Sequence, residues 1–161
     1  MDYAGGILRL RVPPAGSRKD NIYDHPPGSD YITTQGLEPE MTEVYRAIYH
    51  KLEVIGVLSV SEYDVIKNDP LTPLYIDRLA PDRYAIARNR VVDGIMVPDP
   101  DMEIRVDHER KLAEPLTYQD QKCRKVVYPD PGSVNLTIKN ELVTYLDRWL
   151  TGMINEGYRR N

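Results

Sequence analysis

Asp107-His108-Glu109 sets a histidine between two carboxylates, with Arg105 and Arg110 just outside. Imidazole changes charge near neutral pH, and a neighbouring carboxylate can orient it, so these residue types suit a general base or a metal ligand. On a strand, however, consecutive side chains point to opposite faces. Asp107 and His108 therefore do not converge on one substrate atom. His108 shares parity with Met102, Ile104 and Val106, while Glu103, Arg105 and Asp107 alternate with them. The stretch reads as a strand-end histidine held by a turn. An enzyme centred on His108, with Asp107 or Glu109, ranks third among the functions considered.

Other chemical signals are weaker. Asp99, Asp101 and Glu103 alternate as in some cation sites, but the glycine and distal glutamate of an EF-hand loop are missing, and Pro98 and Pro100 stiffen the segment. Cys123 lies between Lys122 and Arg124, a setting that lowers a thiol pKa, yet it also fits a plain strand position. One cysteine and three scattered histidines give no zinc spacing. Phosphate-loop, dinucleotide and nucleophile-elbow motifs are absent from the sequence. No catalytic residue, metal ligand or cofactor is assigned. Two basic stretches, "RYAIARNR" and "QKCRKVVY", mix cations with tyrosine on predicted strands. Arg83, Tyr84, Arg88, Arg90, Lys122, Arg124, Lys125 and Tyr128 could form a face that stacks single-stranded bases.

The 161 residues make one domain with little to spare. A formal net charge of −4 argues against non-specific grip on nucleic acid as the main task. A lone cysteine points to a reducing compartment. No apolar run suits a membrane span, and the N-terminus lacks a signal-peptide layout, so a cytoplasmic protein is expected. Phe is absent and Tyr occurs twelve times, which fits either half-buried rings whose hydroxyls find partners or a plain drift in residue usage.

Residues 1–37 differ from the rest. Two Pro-Pro pairs and a scatter of glycines break any period, and this stretch is expected to be an extended arm. Ile7, Leu8, Leu10, Val12, Ile22, Tyr23 and Tyr31 give it apolar handles, and Ile7–Val12 alternates like a short strand. From Pro39 the pattern turns helical: Met41, Val44, Tyr45, Ile48, Leu52 and Ile55 form one stripe, and Gly56 marks its end. Strands are expected at 74–79 and 83–88 around an "APD" turn, at 102–107 after a "VPDPD" turn, and at 112–119 and 122–128. Pro115 suggests an edge or a bulge. A last helix spans about 137–155, with Thr137 as N-cap, Gly157 just past the end, and an apolar face of Ile138, Leu142, Tyr145, Leu146, Trp149, Leu150, Met153 and Ile154. The expected fold is α+β: an antiparallel sheet of four to six strands covered by two amphipathic helices, over residues 38–158.

Glu103-Ile104-Arg105-Val106, His108, Ala113-Glu114, Gln119, Tyr128-Pro129 with Pro131, Lys139, Leu146, Trp149-Leu150 and Gly157 stand in an order that resembles the YqiB-like family of small bacterial proteins. The resemblance covers residues 41–157 and is strongest over 102–157. Asp107 and Pro115 depart from it, standing where that family carries an aromatic and an aliphatic residue. The resemblance implies a small cytoplasmic α+β protein and no assigned activity. It draws Arg105, His108, Glu114 and Gln119 together as a polar group at a hairpin, with Arg105 and Glu114 paired across antiparallel strands. Lacking a catalytic constellation, the chain is expected to be a protein-interaction or assembly component that docks a protein partner through its arm. The alternative is an RNA- or single-strand-binding module.

Overall fold

In the computed structural model the described residues are 39–161. The predicted arm, with Ile7, Leu8, Leu10, Val12, Ile22, Tyr23 and Tyr31, lies outside them. Helix α1 spans Pro39–Ile55 and buries Tyr45, Ile48, Tyr49, Leu52 and Ile55. These positions recur every three or four residues and face one way, as the apolar stripe predicts. Gly56, at φ 98, ends the helix. Its N–H donates to the carbonyls of Leu52 and Glu53 at 3.1 Å, and only glycine takes this left-handed conformation without strain.

A 3-10 turn at Val57–Ser59 leads into six strands: β1 (Tyr63–Asn68), β2 (Leu71–Ala80), β3 (Arg83–Val92), β4 (Ile95–Asp107), β5 (Leu112–Gln119) and β6 (Arg124–Val126). They form one antiparallel sheet in sequence order. Helix α2 (Leu136–Glu156) follows. The fold is α+β, an open six-stranded meander with two helices, as expected from the sequence.

Several elements differ from their sequence expectation. β1 was not anticipated. "VPDPD" is not a turn: β4 runs through it, and its prolines sit at a register shift opposite Ala87–Asn89. A proline cannot donate to the ladder, so it belongs at such an irregularity. The true turn is Asp93-Gly94, both at positive φ, joining Val92 to Ile95. This is the type I′ geometry that suits a right-twisted hairpin. β6 is shorter than 122–128, because Asp120 Oδ1 accepts from the N–H groups of Lys122 (2.8 Å) and Cys123 (2.9 Å) and bends the chain there. The N-cap of α2 is Asn135, not Thr137: its side chain accepts from Ile138 N at 3.1 Å. Asn in this position satisfies an otherwise orphaned helix donor. Pro115 does mark a bulge, since Glu103 pairs with Thr117 and Ile104 with Pro115.

The core lies between the helices and one sheet face. Leu74, Ile76, Tyr84, Ile86, Met102, Ile104 and Val106 meet Leu142, Leu146, Leu150 and Met153 of α2 and the stripe of α1. Lys51 pairs with Asp147 at 2.5 Å, and the Lys139 ammonium sits 5.6 Å from the Tyr45 ring centroid, so the two helices run side by side in the same sense. The C-terminal tail closes the far end. Tyr158 is buried with its hydroxyl donating to Thr72 O, and Arg160 N donates to Ile55 O at 2.7 Å.

Candidate functional site

Arg105 and Glu114 face each other across β4 and β5, as expected. Arg105 Nη2 and Nε both donate to Glu114 Oε2, at 2.8 and 3.3 Å. The side chains are only 5% and 1% exposed, so this is a buried ion pair. Its energetics follow from that: removing one partner strands the other charge. The second carboxylate oxygen is also used, accepting from Tyr128 Oη at 2.5 Å.

Two more side chains complete this cluster. The Arg105 guanidinium lies 5.6 Å from the Tyr128 ring centroid, and the buried Lys139 ammonium lies 5.9 Å from the same ring. Cations favour the negative face of an aromatic ring, more so when desolvated. Tyr45 is fully buried and its hydroxyl finds no hydrogen-bond partner. Burial, then the Glu114 charge, push the Tyr45 and Tyr128 hydroxyls far above the usual phenol range. Both therefore stay protonated at any physiological pH. For Arg105, burial opposes the charge, but Glu114 outweighs it and raises the pKa. The shifts of Tyr45, Tyr128 and Arg105 thus all favour their proton-bearing forms.

His108 sits in the turn after β4, not on the strand. Its Nε2 lies 3.2 Å from Pro81 O and its Nδ1 lies 3.4 Å from Tyr49 Oη. Tyr49 and Tyr84 meet the ring edge-on. Asp107 turns away to hold the turn, accepting from Arg110 N at 2.9 Å and Arg110 Nε at 2.8 Å. Burial would raise the Asp107 pKa, yet these bonds lower it. His108 thus ties two turns together. Gln119 stands at the other end of β5, opposite Asp101 and Arg124, about 16 Å along the strand from Glu114. The four residues of the expected polar group are not one site.

The basic residues do not form one face either. Tyr84 is buried in the core with its hydroxyl on Leu58 O (3.3 Å), so it offers no ring to a base. Tyr128 is tied to Glu114. Arg83 is buried, and Arg88 points to the opposite face, where it pairs with Glu156 and covers the Tyr158 ring. Arg90 pairs with Asp99 and Lys125 with Glu141. Lys122 and Arg124 are exposed beyond Asp120. Among the described residues no group of three or more His, Cys, Asp or Glu could hold a metal ion, and no helix is long and apolar enough to cross a membrane.

The surface feature that the sequence reading missed is a groove along α2. Glu141, Thr144, Tyr145, Arg148, Trp149, Gly152 and Glu156 line about 520 Å³ of mostly apolar space. Tyr145 is 37% exposed and Trp149 half-buried. Tyr118 of β5 extends the row, edge-on to Tyr145 at 5.3 Å, and Tyr145 lies 6.2 Å from Trp149. A Cβ on Gly152 would meet nothing within 4 Å. Glycine inside a helix costs about 1 kcal/mol against alanine, and no packing among the described residues requires it here.

Comparison with known proteins adds a family. The family described as a domain of unknown function, DUF6908, matches residues 43–159. No curated protein and no solved structure matches the chain.

Proposed function

This chain belongs to the DUF6908 family, and we propose for it a non-catalytic role as a protein-interaction or assembly component that engages its partner through the N-terminal arm. The observation that carries this reading is the contrast between the buried chemistry and the exposed groove. Glu114 spends both oxygens on Arg105 and Tyr128, and His108 has a neighbour at each ring nitrogen. Tyr145 and Trp149, by contrast, stand along an open groove. Aromatic side chains at a surface are the usual anchors of protein recognition. The resemblance to YqiB-like proteins fits this reading, since it brings no catalytic group. A reducing, cytoplasmic setting suits the single exposed thiol of Cys123.

Ile7–Val12 is the docking element, by strand addition to a partner's sheet edge. The test is affinity capture from the native cell with the full chain, the full chain carrying Leu8→Asp and Leu10→Asp, and a chain beginning at Leu37, each with and without nuclease. A protein captured by the full chain and lost in both altered chains supports the reading. Capture that disappears on nuclease treatment, whatever the arm, would replace it with single-strand nucleic-acid binding.

A further inference from the structure

The groove on α2 needs an occupant, and its chemistry narrows the choice. Two rings, Tyr145 and Trp149, line it, and Tyr118 meets Tyr145 edge-on beside it. Gly152 leaves the helix backbone open beside Trp149. Such surfaces suit proline rings, which stack on aromatic faces and come from an already extended chain that loses little entropy on binding. The charges at the groove are uneven. Glu141 and Glu156 are neutralised by Lys125 and Arg88, whereas Arg148 is exposed at the groove wall. The preferred ligand is therefore a proline pair flanked by acidic residues.

The chain carries such a segment. Asp24-His25-Pro26-Pro27-Gly28-Ser29-Asp30 sets a Pro-Pro pair between two aspartates. The other pair, Pro13-Pro14, is followed by Arg18 and Lys19 and has the wrong sign. Eleven residues separate Pro27 from Pro39, and the twelve Cα steps can span about 40 Å when extended. Helix α1 starts beside the N-terminal end of α2, since Tyr45 lies against Lys139. Trp149 is ten residues further along α2, about 15 Å. The tether reaches easily, and a short tether gives a high effective concentration that favours the chain's own groove over another copy's.

We propose that residues 24–30 seat in the α2 groove of their own chain, with Pro26-Pro27 on Tyr145 and Trp149 and a flanking aspartate on Arg148. This deepens the interaction reading: anchoring the middle of the arm leaves Ile7–Val12 as the free docking element, held at the edge of the domain.

Trp149 is the only tryptophan in the chain, so its emission reports on the groove directly. The experiment uses the full chain, the Pro26→Gly/Pro27→Gly double variant, Gly152→Leu, and all three changes together. Circular dichroism and Tm serve as checks that the domain is folded. The expected result is that Pro26→Gly/Pro27→Gly moves the emission to the red and raises acrylamide quenching, and that a synthetic peptide of residues 22–32 reverses both. In Gly152→Leu the leucine fills the groove, so adding the proline changes has no further effect, and trypsin cuts after Arg18 and Lys19 faster than in the unaltered chain. Unchanged emission and quenching in the folded proline variant overturn the proposal. So does emission that varies with protein concentration, which would place the segment in another copy, or quenching of the unaltered chain by oligouridylate, which would give the groove to nucleic acid. The two readings fail separately: loss of partner capture follows Leu8→Asp and Leu10→Asp, while the groove is read by Trp149 alone.

Discussion

Glu114→Gln is the sharpest test of the buried cluster. The substitution keeps shape and removes one charge. Oε2 now accepts two bonds from Arg105 and Oε1 accepts one from Tyr128. An amide has a single oxygen, so either Arg105 faces an NH₂ group, donor against donor, or Tyr128 must rotate its hydroxyl and give up its charged acceptor. In both cases the Arg105 charge, on a side chain 5% exposed, loses its carboxylate. Breaking a buried pair from one side costs about 3–5 kcal/mol, a large share of the roughly 5–15 kcal/mol that holds a domain together. Urea unfolding followed by circular dichroism measures it. The midpoint should fall by about 2 M for an m-value of roughly 2 kcal/mol/M, with m itself unchanged. The double variant Arg105→Leu/Glu114→Leu should lose less than Glu114→Gln, because it strands no charge. A midpoint shift worth under about 1 kcal/mol would refute the account, and would mean that water reaches the pair.

Three further outcomes follow from other sites. Tyr45→Phe removes a buried hydroxyl that has no partner, so stability should stay level or rise by up to about 1 kcal/mol, read as a Tm at or above the parent's. Gly56→Ala should cost at least about 1–2 kcal/mol, because φ is 98 and the new Cβ would come within 2.6 Å of Arg160 Cβ; thermal unfolding checks it, and faster removal of the C-terminal tail by carboxypeptidase should accompany it. The pH dependence comes from Asp64, Asp107 and Asp120. The Arg160 bond lowers Asp64, the Arg110 bonds lower Asp107 against its burial, and the Tyr118 hydroxyl lowers Asp120. A depressed folded pKa means the unfolded chain binds protons first as pH falls. Stability should be level well above the ordinary carboxylate range, near pH 4, and fall below it. Asp107→Asn should flatten that acid slope; an unchanged slope would remove Asp107 from the explanation.

The outline of the fold was legible because helix stripes and strand alternation are local. Tyr45, Ile48 and Leu52 could be read as one face, and Gly56 and Gly157 as ends, from spacing and residue type alone. Arg105 and Glu114 were pairable because one short turn joins their strands. The Asp93-Gly94 hairpin was also legible, since Asp-Gly between apolar residues is a strong turn signal, but the prolines of "VPDPD" drew the turn to themselves. What no local pattern carried was Tyr128 reaching Glu114, or Lys139 reaching Tyr45. Those contacts join β5, the loop after β6 and both helices, and they depend on how the helices dock. The apolar face of α2 is fully covered over only part of its width for a related reason. Leu142, Leu146, Leu150 and Met153 are buried, and Ile138, Trp149 and Ile154 pack half-buried against the core, but Tyr145 stands exposed at the margin of the stripe. Periodicity gives the direction of a face, not where a neighbouring element stops covering it.

Gly152 supports the proposed use of the α2 groove. A helix margin with no role would be expected to carry a good helix former facing solvent, since alanine there is worth about 1 kcal/mol over glycine and nothing among the described residues obstructs it. Two aromatic rings at the same margin add apolar surface that water does not favour. An extended chain lying against them would cover the exposed part of both rings, and the missing Cβ would let that chain approach the helix backbone. The buried cluster around Glu114 has the opposite character, because every charge in it is already placed against a partner within the protein. On the proposed reading, function lies along α2, where the helix gives up stability, and not where the most reactive side chains are gathered.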